Sequence, residues 1–207
     1  MTDEMPPRPE ARTDTRQSLI DAGYDLLREG GADALTLRRA AARAGVSHAA
    51  PAHHFNGLAG LQTAIAARAM NDFADTMKRR RAAADPDPFA QLLAICEGYL
   101  DFARSHAGLF HVMFQCPDID PMDPAFAAAA HEAYGVLRAG CAPFASAHTA
   151  LALETAVWSM VHGYTALRHG DPDFPAADGQ FAPPFATVLA LLLGNVPSPL
   201  APPGSEC

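Results

Sequence analysis

A chain of 207 residues, 49% hydrophobic and 18% charged, has the composition of an ordinary globular protein and excludes a polar, coreless polymer. Its four cysteines, at 96, 116, 141 and 207, form no CxxC pair, and the longest apolar run near the C-terminus, Phe185 to Leu193, is too short to span a bilayer. A net charge of −8 argues against nucleic acid until its distribution is read: residues 1–81 hold 12 basic and 10 acidic side chains, whereas 82–207 hold 3 and 13. The chain thus carries a basic head on an acidic body, as a DNA-contacting head would require.

The first dozen residues contain three prolines and alternating charges, which predicts a disordered arm over 1–12. The opening MTDEMPPRPE has no apolar stretch of the secretory kind, so the expected compartment is a reduced cytoplasm. A helix is predicted from Asp14–Thr15 to Glu29, because Leu19, Ile20, Gly23, Leu26 and Leu27 share one helical face; Gly30-Gly31 ends it. Thr36 is placed to cap a short helix, Leu37 to Ala44, that stops at Gly45. Ser47 is expected to cap a third, about 49–54, with Pro51 in its first turn. A long fourth helix, about 58–83, has Leu58, Leu61, Ile65, Phe73 and Met77 on its buried side. The run Lys78-Arg79-Arg80-Arg81 reads as a solvated helix end complementing the macrodipole.

Asp85-Pro86-Asp87-Pro88 is the clearest break. Beyond it helices are predicted at 88–105, 107–115, 124–140, 147–169 and 181–194, followed by a Pro-rich disordered tail over 196–207. No segment alternates with period two, so the fold class is all-α. The expected division is a helix-turn-helix head at 13–57, a connecting helix at 58–84, and an effector-binding and dimerisation body at 85–195.

The segment from Thr36 to Phe55 has two short helices joined by a turn containing Gly45, the geometry that lays a second helix into a major groove. Ala41 is small where the next helix crosses, Val46 turns back into the head's core, and Phe55 closes its far end. With Gly30-Gly31 before it, Ala34-Leu-Thr-Leu-Arg-Arg-Ala-Ala-Ala-Arg-Ala-Gly-Val-Ser47, and His54-Phe55 ahead of a long amphipathic helix, the stretch from Thr15 to about Ala66 resembles the TetR (tetracycline repressor) family. In the body, Trp158, His162 and Gly163 resemble the Trp…His-Gly signature of a TetR C-terminal class known as WHG.

The resemblance implies that Ser47 to His54 is the recognition helix. Ser47, His48, Ala49, Ala50, His53 and His54 would meet bases or phosphates, and Thr36, Arg38 and Arg39 would meet backbone phosphate. The family commonly has Tyr at Ala52 and Lys at Leu58, both phosphate contacts; Arg12, Arg16, Arg38, Arg39 or Arg43 are left to compensate. It further implies an apolar effector cavity in the body. Candidate wall or core residues are Tyr99, Phe102, Phe110, Met113, Phe114, Phe126, Tyr134, Trp158 and Tyr164, with His111, Cys116, Tyr99 and His162 as polar anchors. The final two helices would pair with their copies in a two-fold homodimer reading a palindromic operator.

Six histidines and three cysteines between 85 and 170 raise the question of a metal, yet neither HExxH nor CxxC occurs. No nucleophile elbow, phosphate loop or carboxylate pair is present, and Glu154 reads as an interface or exposed residue. The expectation is therefore a regulator, with no catalytic residues, cofactor, metal or membrane partner. The alternative is a helical small-molecule- or metal-binding protein or enzyme with weak or lost DNA binding.

Overall fold

The computed structural model describes residues 9–167 and 183–194, with side chains from Thr15 onward. Nine α-helices make up the described residues: α1 (Pro9–Gly30), α2 (Leu37–Arg43), α3 (Ala50–His54), α4 (Gly57–Ala83), α5 (Pro88–Ser105), α6 (Ala107–Phe114), α7 (Pro124–Cys141), α8 (Ala150–Ala166) and α9 (Phe185–Leu192). Short 3-10 turns at Ala32–Ala34 and Ala142–Phe144 were not foreseen from sequence. The architecture is all-α, with no strand among the described residues.

α1 begins at Pro9, inside the span expected to be a disordered arm. Proline is pre-organised for the first helical position, where its missing N–H has no partner to lose. Residues 1–8, the tail beyond 194 and the predicted helix ends over 168–182 lie outside the described residues.

The first three helices wrap a small core of Leu19, Leu27, Ala40, Ala41 and Phe55, closed by Leu61 and Ile65 from α4. Gly45 makes the turn between α2 and α3 at φ 68, a backbone region open to glycine at no steric cost. α4 then runs into the body, where its main packing partners are α5 and α7. Two helices of the body start identically: Asp87 and Asp123 each precede a proline and cap the first turn. Asp87 accepts from the N–H of Ala90, and Asp123 from those of Ala125 and Phe126.

The basic run at the end of α4 is solvent-exposed at Lys78, Arg79 and Arg80, as the solvated reading expects, and most of it also pairs with side chains of neighbouring helices. Lys78 reaches Glu132 of α7 at 2.7 Å, Arg80 pairs with Asp101 of α5, and Arg81 donates to Gln91 at 3.0 Å. Gln91 in turn donates to the carbonyls of Arg81, Ala84 and Asp85, satisfying the C-terminal end of α4. Sequence spacing gave no sign of this cap, because it joins two helices across the break at 85–88.

Candidate functional site

Thr36 caps α2 by accepting the N–H of Arg39 at 3.1 Å, as its position ahead of Leu37 predicts. Ser47 does not cap α3: the helix starts one turn position later, with Ala49 at the N-cap and no side-chain bond. The Ser47 carbonyl instead accepts the N–H of Ala50 at 3.0 Å, and its side chain is exposed. Around this short helix Ser47, His48, Ala49, Ala52 and His53 are exposed, while Ala50 and His54 are half-buried. Thr36, Arg38 and Arg39 are exposed at the start of α2, and neither arginine makes an ion pair with a described residue.

The other arginines of the head have different employment. Arg43 grips both carboxylate oxygens of Glu29, at 2.8 and 2.6 Å, so α2 is tied to α1. That hydrogen bond holds the Glu29 carboxyl below its ordinary range. The Arg16 guanidinium lies 5.3 Å from the centre of the Phe55 ring. Arg68 of α4 joins Asp21 of α1 at 2.5 Å and covers the Tyr24 ring at 4.1 Å. Burial, with Asp72 nearby, pushes the Tyr24 hydroxyl up to about 12. The side chain of Arg12 lies outside the described residues. Leu58 is half-buried against the head's core, so the position where the family commonly has lysine here serves packing.

The body contains an apolar cavity with about 40 Å³ of free space. Met70, Phe73 and Met77 of α4 form one wall, at i, i+3 and i+7 on a single face. Ile95, Cys96 and Tyr99 of α5, Phe114 of α6, Ala130, Ala133, Tyr134 and Leu137 of α7, and Trp158 and Val161 of α8 complete it. Phe73 meets Tyr99 at 4.8 Å and Phe114 at 6.0 Å edge-on, Tyr99 stacks on Phe114 at 6.3 Å, and Tyr134 tilts over Trp158 at 5.3 Å.

The polar ends of these rings are turned to partners. The Tyr99 hydroxyl bonds Nδ1 of His162 at 2.6 Å, and burial holds its proton well above the usual range. The Tyr134 hydroxyl donates to Glu154 at 2.6 Å. Glu154 is thus buried within the chain at 7% exposure and hydrogen-bonded to α7, which corrects its expected place at an interface or in solvent. Burial also raises the thiols of Cys96 and Cys141, the latter to about 12.

Of the twelve residues named as cavity-wall, core or anchor candidates, Tyr99, Phe114, Tyr134 and Trp158 line this cavity, and His162 stands behind Tyr99. Phe102 and Met113 are core: Phe102 lies against Phe73 and His106, and Met113 is 5% exposed. Phe110 and His111 line a separate, wide surface groove; Phe110 also packs against Tyr99 and Phe114 at 5.8 and 4.8 Å, and His111 is bonded to Gln115 at 2.9 Å. Cys116 is half-exposed just beyond α6, away from the cavity. Met70, Cys96 and, on α7, Ala130, Ala133 and Leu137 were not foreseen, because small and aliphatic side chains carry no sequence mark that separates a cavity wall from ordinary core. No three His, Cys, Asp or Glu among the described residues are grouped to hold a metal, and no described helix is long and apolar enough to cross a membrane.

An all-helical protein with an exposed helix-turn-helix at one end and an apolar cavity between the remaining helices belongs to the class of two-part helical regulators. The comparisons make this specific. Residues 19–69 match the family described as "Bacterial regulatory proteins, tetR family", and residues 92–192 match "Tetracyclin repressor-like, C-terminal domain". The chain belongs to the TetR family of transcriptional regulators. It is similar to the HTH-type transcriptional regulator BetI 1 of Chromohalobacter salexigens, with 34% identity over 86 residues, 42% of this chain and 43% of that protein. The match therefore spans less than half the length of that curated relative. Among solved structures, a protein of unknown function from Rhodococcus sp. RHA1 shares the fold with a TM-score of 0.66 and 24% identity, over 87% of this chain and 92% of that one. The multidrug binding protein EbrR, solved in complex with imidazole, is similar with a TM-score of 0.58 and 21% identity over 94% of each chain.

Proposed function

We propose that this chain is a cytoplasmic, homodimeric transcriptional repressor that binds a palindromic operator and is released from it by a small, largely apolar molecule. The observation that carries the reading is that one helix serves both ends. α4 leaves the DNA head at Gly57 and forms a cavity wall at Met70, Phe73 and Met77. A dry cavity of about 150 Å³ is known to hold a benzene ring. The free space of about 40 Å³ falls short of this, so an effector enters only by moving a wall. Moving the α4 wall respaces the two recognition helices of a dimer, and half-site spacing decides operator affinity.

In this reading Ser47, His48, Ala49, Ala50, His53 and His54 face the groove, and Arg38 and Arg39 with Thr36 face phosphate. The head is residues 13–57, the connecting helix 58–84 and the effector-binding and dimerisation body 85–195. Dimerisation through α8 and α9 is supported by large apolar side chains that the single chain leaves exposed: Leu151 at 71%, Leu167 at 62% and Leu191 at 56%. α9 buries Phe185, Leu189 and Ala190 against its own chain, so the opposite edge is available to a second copy. The family's regulatory character supports a non-enzymatic role.

The test is selection of duplexes from a random-sequence pool by the purified protein, followed by an anisotropy titration. A palindromic duplex is expected to bind roughly a thousandfold or more tighter than a random one, with light scattering giving a dimer. A protein that selects no sequence even at low salt is not a regulator of this kind.

A further inference from the structure

Two polar side chains among the described residues are buried to less than a tenth exposure, Glu154 of α8 and Thr63 of α4. The Thr63 hydroxyl donates to the Ala59 carbonyl of its own helix at 2.9 Å and accepts the backbone N–H of Asp120 at 3.1 Å. Asp120 lies in the loop between α6 and α7, and that loop is organised around it. Its carboxylate accepts the N–H of Met122 at 2.9 Å, its carbonyl accepts that of Asp123 at 3.2 Å, and Asp123 caps α7. A continuous run of hydrogen bonds therefore leads from α4 to the first turn of α7, a helix that also lines the cavity. A hydroxyl inside a helix is no aid to helix formation, and its burial is unfavourable unless it is bonded. Valine would fill the same volume, so what threonine adds at 63 is this bond.

The position along α4 gives the bond a mechanical meaning. Thr63 is about 9 Å from the start of α4 at Gly57, and Met70 to Met77 lie about 10 to 21 Å beyond it. We propose that Thr63 is a positioning residue, the fulcrum about which α4 tilts when the cavity is filled. With Thr63 held to the Asp120 amide, a push at Met70–Met77 swings the Gly57 end, and the helix-turn-helix with it, in the opposite sense. Without the tie the same push is absorbed by displacement of the loop. The proposal rests on the cavity being the effector site, and the two are separable by experiment.

Ala133 of α7, buried in the cavity wall, is the place to apply the push without a ligand. Ala133→Phe overpacks the cavity and forces its walls apart, and Ala130→Leu does so more gently from the same helix. Binding to the selected operator duplex is measured by anisotropy in the wild-type, Thr63→Val and Thr63→Ser backgrounds, as a double-mutant cycle. The wall substitution is expected to weaken binding about tenfold in the wild type and Thr63→Ser, and less than about threefold in Thr63→Val. Thr63→Ala serves as a second hydroxyl-free variant if valine disturbs the fold, which melting curves show. An equal loss in all backgrounds, or serine behaving as valine does, overturns the fulcrum and leaves the cavity reading standing. No loss from either wall substitution in the wild type overturns both.

Discussion

Gly108→Ala is expected to lower stability by about 2–3 kcal/mol and the melting temperature by roughly 5–10 °C. α6 crosses the end of α1 at this residue, where an alanine Cβ would stand 2.3 Å from the Leu27 carbonyl oxygen and 2.9 Å from the Gly31 backbone. All the obstructing atoms are backbone, so no side chain can rotate away. The helix must lift instead, drawing Leu109 and Val112, at 0% and 2% exposure, out of the core. The contact also joins body to head, since α1 belongs to the helix-turn-helix and α6 supplies Phe114 to the cavity. Operator affinity is therefore expected to fall by about tenfold in the same variant, an effect in the range of ordinary coupling energies. Gly135→Ala in α7 is the control: no heavy atom lies within 4 Å of its Cβ position, and the exchange is expected to be neutral or stabilising by about 0.5 kcal/mol. Circular-dichroism melts and duplex anisotropy on the two variants decide the matter. A Gly108→Ala protein that melts and binds as the wild type does would remove the α1–α6 contact from the account.

Replacing Arg38 and Arg39 together by alanine is expected to weaken operator binding by at least about tenfold at physiological salt while leaving the melt nearly unchanged. Both side chains are exposed beside the capped start of α2, and neither is held by a carboxylate among the described residues. Their loss should flatten the plot of log affinity against log salt by about 2, since each phosphate contact contributes about 0.9 to the slope. Random duplexes should lose affinity in the same proportion, because phosphate contacts position the protein without reading sequence. Arg43→Ala is expected to behave otherwise. Its guanidinium is engaged by Glu29 and Asp25, so its removal should loosen the junction of α1 and α2 and show in the melt of the head. If the double variant kept the wild-type salt slope, these arginines would not be the phosphate contacts.

The readings that succeeded from sequence were local ones. Thr36 before Leu37, Gly45 after α2, and Asp87-Pro88 at the start of α5 each act through atoms within four residues, so their effect is legible in a short window. The failures have a common cause in contacts made at long range. Glu154 looked like a lone charge in an apolar run, and only its pairing with Tyr134 of α7 makes burial tolerable. Lys78 and Arg80 are solvent-exposed as read, but their pairings, like that of Arg81, were not legible because Glu132, Asp101 and Gln91 sit on other helices. The cavity was half legible: aromatic residues of α5, α6, α7 and α8 were identified, while His111 lines a separate surface groove and Cys116 lies beyond the end of α6. At α3 a local rule misled, since Ser47 had the right chemistry for a cap and the helix began beyond its reach, at Ala50.

The claim at the centre of the account is that the cavity and the DNA head are energetically coupled through α4, and the chain carries its own reporter for this. Trp158 is its only tryptophan and lines the cavity, remote in sequence from the recognition helix at 50–54. If effector binding changes operator affinity, operator binding must change the state of the cavity by the same free energy. Titration of the full chain with the selected operator duplex is therefore predicted to shift Trp158 fluorescence, saturating with the anisotropy of the labelled duplex. A duplex with scrambled half-sites should leave the emission unaltered. Emission that stays constant while anisotropy shows the operator fully bound would contradict the coupling.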